Sequence, residues 1–200
     1  SLNASLATVL PQRGRIGFFS QSGALGTAIL EQVSARGLGL SSFVSAGNRA
    51  DVSGNDLVQF WQSDPQTDVV LLYLESIGNP RKFSRIARRT ARAKPIVAVK
   101  SGRWTQGHPV GHAVRGTDAP AAAVEALFRQ AGVIGVDTLP ELLDVAQLLA
   151  TQPLPAGRHI AVVGNSDALT LLAADSAYGS GLEVVGTSVD LGATASAGDF

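Results

Sequence analysis

RIGFFSQSGALGTAIL, Arg15 to Leu30, decides the fold. Its apolar run breaks at Ser20-Gln21-Ser22-Gly23 and resumes with helical spacing, so a strand turns sharply into a helix. Main-chain N–H groups at a helix start lack intrahelical partners and sit at the positive end of the helix dipole. They hold a phosphate without any cationic side chain. Ser20 and Ser22 add hydroxyls, Gln21 lies between them, and Gly23 lets an oxyanion come close. These four are the candidate phosphate-binding residues. A serine ahead of an apolar helix is equally an ordinary N-cap, and the segment alone does not separate the two readings.

Outward from this stretch, strand-like runs alternate with helical patterns. Strands are expected at Arg15–Ser20, Ser41–Ala46, Asp68–Glu75, Pro95–Lys100 and Val133–Val136. Helices are expected at Gly23–Arg36, Asn55–Ser63, Arg81–Ala93, Ala119–Ala131 and Leu139–Ala150, the last beginning after a capping Thr138. The alternation predicts an α/β fold, a doubly wound parallel five-stranded sheet with helices on both faces. Ser101 to Thr117 shows neither period, is rich in glycine and carries two of the three histidines, which marks a functional loop. Thr151 to Gly157, TQPLPAG, is a Pro-punctuated linker. After it, HIAVVGNSDALTLLAADSAYGSGLEVVG repeats the order strand, polar turn, helix, strand. The expected organisation is a first domain over 1–150, a linker over 151–157 and a partial second α/β domain over 158–200. One β-α-β unit does not bury both faces of its sheet, so the last segment is expected to dock on the first domain or to belong to a longer parent. Its turn, Gly164-Asn165-Ser166-Asp167, reads as a plain capping turn.

Composition narrows the function. With 45% hydrophobic and 16% charged residues over 200 positions, the chain buries a sizeable core. Sixteen basic and sixteen acidic residues cancel, so no long-range field draws it to nucleic acid or an anionic membrane. PRKFSRIARRTARAK gathers seven of the basic residues, but Phe83, Ile86, Ala87 and Thr90 form its buried stripe and leave the arginines on a solvated face. Without cysteine there is no disulfide or thiolate chemistry, and the histidines lack the clustered partners of a metal site. SLNASLATVLPQRGR lacks the basic start and apolar core of a leader, and no run is long enough to span a bilayer. Cytoplasm is the default compartment. The start reads as a chain entering from something upstream, and the absence of methionine fits an excised piece.

Ligands of an open parallel sheet sit beyond the carboxyl ends of its strands, where the strand order reverses. If the order is 2-1-3-4-5, as in flavodoxin-like sheets, the first and third strands are neighbours at that point. Ser22 and Glu75 then face each other across one crevice. A carboxylate ending the apolar run VVLLYLE is costly unless solvated or paired, and pairing with a histidine is one reason for it. His112, in PVGHAVRGTD, is flanked by small residues that let a loop swing. An imidazole carries a phosphoryl group when one ring nitrogen attacks phosphorus while a carboxylate holds the other N–H. A surface histidine in a glycine loop is the bland alternative; His108, next to Pro109, is a weaker candidate, and His159, at a strand start, reads as structural.

SQSGALG, then SAGNRADVSGNDLVQFWQSDPQTDVVLLYLESI, then KPIVAVKSGR and GHAVRGTD, resembles in order and content the NDP-forming acyl-CoA synthetases of the succinyl-CoA synthetase superfamily. The resemblance covers nearly the whole chain and is near to the acetate-type region of actinobacterial proteins fused to a GNAT acetyltransferase. It implies a flavodoxin-like ligase domain over 1–150, followed by the start of the next domain. It also implies a phosphohistidine at His112, a glutamate steadying it at Glu75, and phosphate-binding N–H groups at Ser22 and Gly23. The implied reaction converts acyl-CoA, ADP and phosphate to acid, CoA and ATP through an acyl phosphate. Nothing is expected to be bound tightly: CoA, ATP or ADP, and magnesium arrive through CoA-binding and ATP-grasp domains, which this chain lacks, and a homo-oligomer is compatible with the exposed surfaces of such a domain. Val114 and Arg115 replace the small residues usual after the histidine, and the loop before it is slightly short. A second expectation therefore stands beside the first, a non-catalytic domain that senses acyl-CoA or another ligand.

Overall fold

Strands covered by helices on both faces are apolar without alternation, and this is how the central strands are built. The computed structural model describes residues 7, 9–46, 52–101, 120–186, 189–192, 194, 196 and 198. Five strands, β1 (Arg13–Ser20), β2 (Leu40–Ser45), β3 (Val69–Leu74), β4 (Ile96–Lys100) and β5 (Val133–Val136), form one parallel sheet in the order β2-β1-β3-β4-β5. The fold is flavodoxin-like, with the order reversing between β1 and β3. Those two strands pair from Ile16 opposite Val69 to Ser20 opposite Tyr73.

Five helices link and follow the strands: α1 (Gly23–Ala35), α2 (Gly54–Ser63), α3 (Pro80–Ala91), α4 (Ala121–Ala131) and α5 (Leu139–Thr151). Successive strand residues point to opposite faces. Phe19, Val70, Leu72, Ile96 and Ala98 therefore pack with Val58 and Trp61 of α2, Phe83 and Ile86 of α3, and Phe128 of α4. Ile16, Phe18, Val69, Leu71 and Val97 pack on the other face with Ile29 and Val33 of α1 and Leu142 and Leu143 of α5. In α3 the buried residues are Phe83, Ile86, Ala87 and Thr90. Arg81, Arg85, Arg88 and Arg89 are exposed, as the amphipathic reading requires.

Element starts follow their caps. Asn79 Oδ1 accepts the Lys82 N–H at 3.0 Å, with Pro80 at the first helical position, so α3 starts one residue earlier than the apolar pattern alone indicates. Thr138 caps α5 by accepting the Glu141 N–H at 3.3 Å. Residues Ser1–Gln152 and Pro153–Phe200 form separate compact units. In the second, the expected strand His159–Gly164 is two short pieces, β6 (His159–Ile160) and β7 (Val163–Gly164). They pair in parallel with β8 (Glu183–Val184) and β9 (Val189–Asp190) respectively, around α6 (Asp167–Gly179). Leu169, Leu171, Leu172 and Tyr178 of α6 are exposed.

Gly17 shows how tight the first core is. A Cβ there would lie 2.6 Å from the Trp61 indole, whose Nε1 donates to Ser42 Oγ at 2.8 Å. Gly17→Ala is expected to lower the stability of the first unit by about 1–3 kcal/mol through overpacking. Urea unfolding followed by Trp61 fluorescence measures it, and an unchanged midpoint contradicts this packing.

Three carboxyls are held below the usual range. The Arg15 guanidinium lowers Asp68, chiefly through its hydrogen bonds, one of them from Nη2 to Oδ1 at 2.7 Å. The Thr67 hydroxyl, at 2.6 Å, lowers Asp64, and Ser53 lowers Asp56. A depressed folded-state pKa stabilises above the unfolded value, about 3.9 for Asp, and that contribution is lost as pH falls through the folded value. The urea midpoint should therefore fall as pH drops below about 4, less steeply in Asp64→Asn. A flat midpoint across that range rules out these interactions as a source of stability.

Candidate functional site

The carboxyl ends of β1 and β3 lie side by side at the reversal, and the chain leaves each of them through a turn tied by hydrogen bonds. After Ser20 the main chain must abandon the sheet to start α1. The Gln21 N–H still donates to Tyr73 O at 3.1 Å, one ladder step beyond the strand. The buried Ser20 Oγ accepts the Ser22 N–H at 3.2 Å and donates to Ser22 O at 3.0 Å. Ser45 Oγ, at the end of β2, donates to the same carbonyl at 3.2 Å. Ser22 is the N-cap of α1, and its Oγ accepts the Leu25 N–H at 3.3 Å.

This arrangement redistributes the roles expected of SQSG. The Ser22 N–H, the Gln21 N–H and the Ser20 hydroxyl are all engaged within the protein. They shape the turn. The N–H groups of Gly23 and Ala24, first and second in α1, have no hydrogen-bond partner among the described residues, and both residues are exposed. These are the orphan donors of a helix start, aligned with the positive end of its dipole. Of the two amides expected to be free, that of Ser22 is taken up by the Ser20 hydroxyl two residues back, and that of Gly23 has no partner among the described residues.

Glu75 follows the last residue of β3 and is half-buried. Its main-chain N–H donates to Gln21 Oε1 at 2.7 Å, and the N–H of Ser76 donates to the same oxygen at 2.8 Å. Gln21 Nε2 donates to Ser76 O at 2.9 Å. The structure thus brings Glu75 to the rim where α1 begins, with Gln21 as the link. Among the described residues the Glu75 carboxylate makes no hydrogen bond or ion pair. Gln21, only 4% exposed, was expected to bind phosphate; its side chain instead holds protein backbone, since both of its ends are taken up there. Period-2 register was the available signal: Gly17, Phe19 and Gln21 share one face, and a polar residue at a core register needs internal partners.

His112 and His108 lie outside the described residues, as do Val114 and Arg115. His159 is exposed, with its Nε2 2.9 Å from Glu183 Oε2 across the β6–β8 pair. Among the described residues no group of three or more His, Cys, Asp or Glu could hold a metal ion, and no helix is long and apolar enough to cross a membrane. A concavity of about 620 Å³ runs along the arginine face of α3 beside Arg81, Arg85, Arg88 and Arg92. It lies away from the strand ends, and it is an open surface trough between long side chains. The start of α1, Glu75 and the strand-order reversal lie together at the β1–β3 rim.

Residues 13–149 match the succinyl-CoA ligase-like flavodoxin domain. The ADP-forming acetate–CoA ligase of Methanocaldococcus jannaschii is 37% identical over 177 residues, covering 88% of this chain and 25% of that protein. The alpha subunit of the ADP-forming acetate–CoA ligase II of Pyrococcus furiosus is 34% identical, covering 92% of this chain and 40% of that subunit. The dinucleotide-forming acetyl-coenzyme A synthetase 1 of Ca. Korarchaeum cryptofilum superposes with a TM-score of 0.82 at 33% identity, over 92% of this chain and 40% of that one. The same enzyme has been solved in complex with phosphate and ADP. The chain thus spans between a quarter and two-fifths of the length of these relatives.

The turn itself is testable. Ser22→Ala removes the acceptor of the Leu25 N–H and is expected to cost about 1 kcal/mol, while Ser22→Gly costs only a few tenths. Urea denaturation compares the two, and equal stability of Ser22→Ala and the parent contradicts the cap.

Proposed function

This chain belongs to the family of succinyl-CoA ligase-like flavodoxin domains, and from that membership we propose that it is the phosphoryl-relay domain of an ADP-forming acyl-CoA synthetase. One observation carries the reading: the helix-start amides of Gly23 and Ala24, without partners among the described residues, follow directly on Gln21, whose side chain holds the main chain of Glu75 at the strand-order reversal. Amides at a dipole's positive end hold a phosphoryl group without neutralising it. A nearby carboxylate suits the cation that forms when an imidazole is phosphorylated.

In this reading His112 is the carrier. Acyl-CoA and phosphate first exchange to give acyl phosphate and CoA. A ring nitrogen of His112 then attacks phosphorus, the bond from phosphorus to the acyl oxygen breaks, and the carboxylate leaves. Glu75 accepts the hydrogen bond of the other ring N–H, which fixes the tautomer and stabilises the positive ring. The amides of Gly23 and Ala24 bind two of the phosphoryl oxygens while His112 takes the group from the acyl phosphate. The phosphoryl group then passes from His112 to the terminal oxygen of ADP, restoring the imidazole. Two in-line transfers through a covalent carrier let one group serve two separated sites. CoA, nucleotide and its magnesium would be bound by CoA-binding and ATP-grasp domains or subunits, with phosphate and acyl phosphate as the ligands of the rim itself and the cytoplasm as the compartment. The sequence over 158–200 would begin the next domain of such a ligase.

The test uses the full-length protein incubated with γ-labelled ATP and magnesium. An acid-labile, base-stable label is expected, absent in His112→Asn and formed about 10²-fold more slowly in Glu75→Gln. Label that persists in His112→Asn contradicts the relay. No label in the parent assigns the chain instead to the second class, a sensing domain such as that of an acetyltransferase fusion, for which Val114 and Arg115 beside the histidine are the sequence grounds.

A further inference from the structure

We infer that Gln21 is a positioning residue that sets Glu75 relative to the amides of α1. The inference rests on the relay reading of Glu75. Ser20 is the last residue of the β1 register and Gln21 the first beyond it, because its neighbour Ser22 is already the cap of α1. Beyond this point β3 loses its partner strand on one side, yet Glu75 and Ser76 still carry main-chain groups that need partners in a buried setting. The Gln21 side chain supplies them. Its Oε1 accepts the N–H groups of both Glu75 and Ser76, at 2.7 and 2.8 Å, and its Nε2 donates to Ser76 O at 2.9 Å. A side-chain amide has the donor and acceptor of a peptide group, so it stands in for the β1 main chain that has turned away.

The substitution has a geometric consequence. Only Ser22 separates Gln21 from Gly23, and the Gln21 N–H is itself tied to Tyr73 O at 3.1 Å. The carboxylate and the free amides are therefore referenced to one residue, fixed at both its main chain and its side chain. The residue type is restricted. Asparagine is one methylene too short, methionine has neither donor nor acceptor, and arginine or lysine offers donors only. Ionised glutamate keeps the acceptor for two N–H groups and loses the donor to Ser76 O. The amide's orientation follows from its partners, since two N–H groups converge on one atom. Packing alone would be served by an apolar residue of similar size, so the amide marks a demand for position.

The experiment uses Gln21→Met and Gln21→Glu in the full-length protein, with His112→Asn as the reference for the relay. Hydrogen exchange read by mass spectrometry on peptides spanning Glu75 and Ser76 should quicken at least tenfold in Gln21→Met and remain near the parent rate in Gln21→Glu, with the Phe18 and Leu71 peptides unchanged in both. The phosphohistidine formation rate at saturating ATP should fall at least tenfold in Gln21→Met, with Gln21→Glu between it and the parent, and the KM for ATP should not move. Unchanged exchange at Glu75 and Ser76, or faster exchange with an unchanged rate, overturns the positioning role while His112-dependent label keeps the relay. Label that survives His112→Asn overturns the relay, and the exchange result still decides the clamp. If Gln21→Met does not fold, Gln21→Glu decides alone: a parent-like labelling rate overturns the inference, and a slower rate at unchanged KM supports it.

Discussion

The parallel pairing of β1 with β3 is the constraint on which everything else depends. Ile16 opposite Val69 and Ser20 opposite Tyr73 fix a register in which both strands end at one level. β1 connects to β2 on one side and β3 continues to β4 on the other, so their connecting helices lie on opposite faces and diverge from this point. The divergence leaves a rim at the carboxyl ends of the two strands, a property of topology that no single side chain creates. Without the pairing, Gly23 at the start of α1 and Glu75 after β3 would be unrelated in space.

Topology makes the rim, and hydrogen bonds make it usable. Backbone that departs from a sheet exposes donors and acceptors, and a buried group left without a partner costs about 1–3 kcal/mol. Here Ser20, Ser45 and Gln21 satisfy the main chain of the turn and of the β3 exit from within the protein. The two amides at the head of α1, on the exposed side, have no partner among the described residues, as first-turn amides of a helix ordinarily do not. Ser22 does cap α1, so the bland reading of SQSG is true, and it is compatible with an anion site one residue further on.

Much of the fold was legible in the sequence because both faces of the sheet are covered. The run VVLLYLE, read as a buried strand, and the stripe Phe83, Ile86, Ala87 and Thr90 both stand as the periodicity implied. Strand order was reached only conditionally, since pairing between β1 and β3 depends on contacts distant in sequence. Of the residues singled out in the sequence, Glu75 and the start of α1 are brought near each other through Gln21. Register places Gln21 on the core face, but its partners Glu75 and Ser76 lie more than fifty residues away and leave no local trace. In the second unit, HIAVVG carries a strand's composition, but only His159–Ile160 and Val163–Gly164 find partner strands, and ladder formation depends on the partner as much as on the segment.

In the function we propose, the β1–β3 rim holds a phosphoryl group between the amides of α1 and a Glu75-paired imidazole. The most direct measurement is a crystal structure of the full-length protein grown with inorganic phosphate. The account predicts an oxyanion about 3 Å from the nitrogens of Gly23 and Ala24, with the His112 ring within hydrogen-bond reach of the Glu75 carboxylate. An empty rim with His112 anchored elsewhere by its own packing would contradict it.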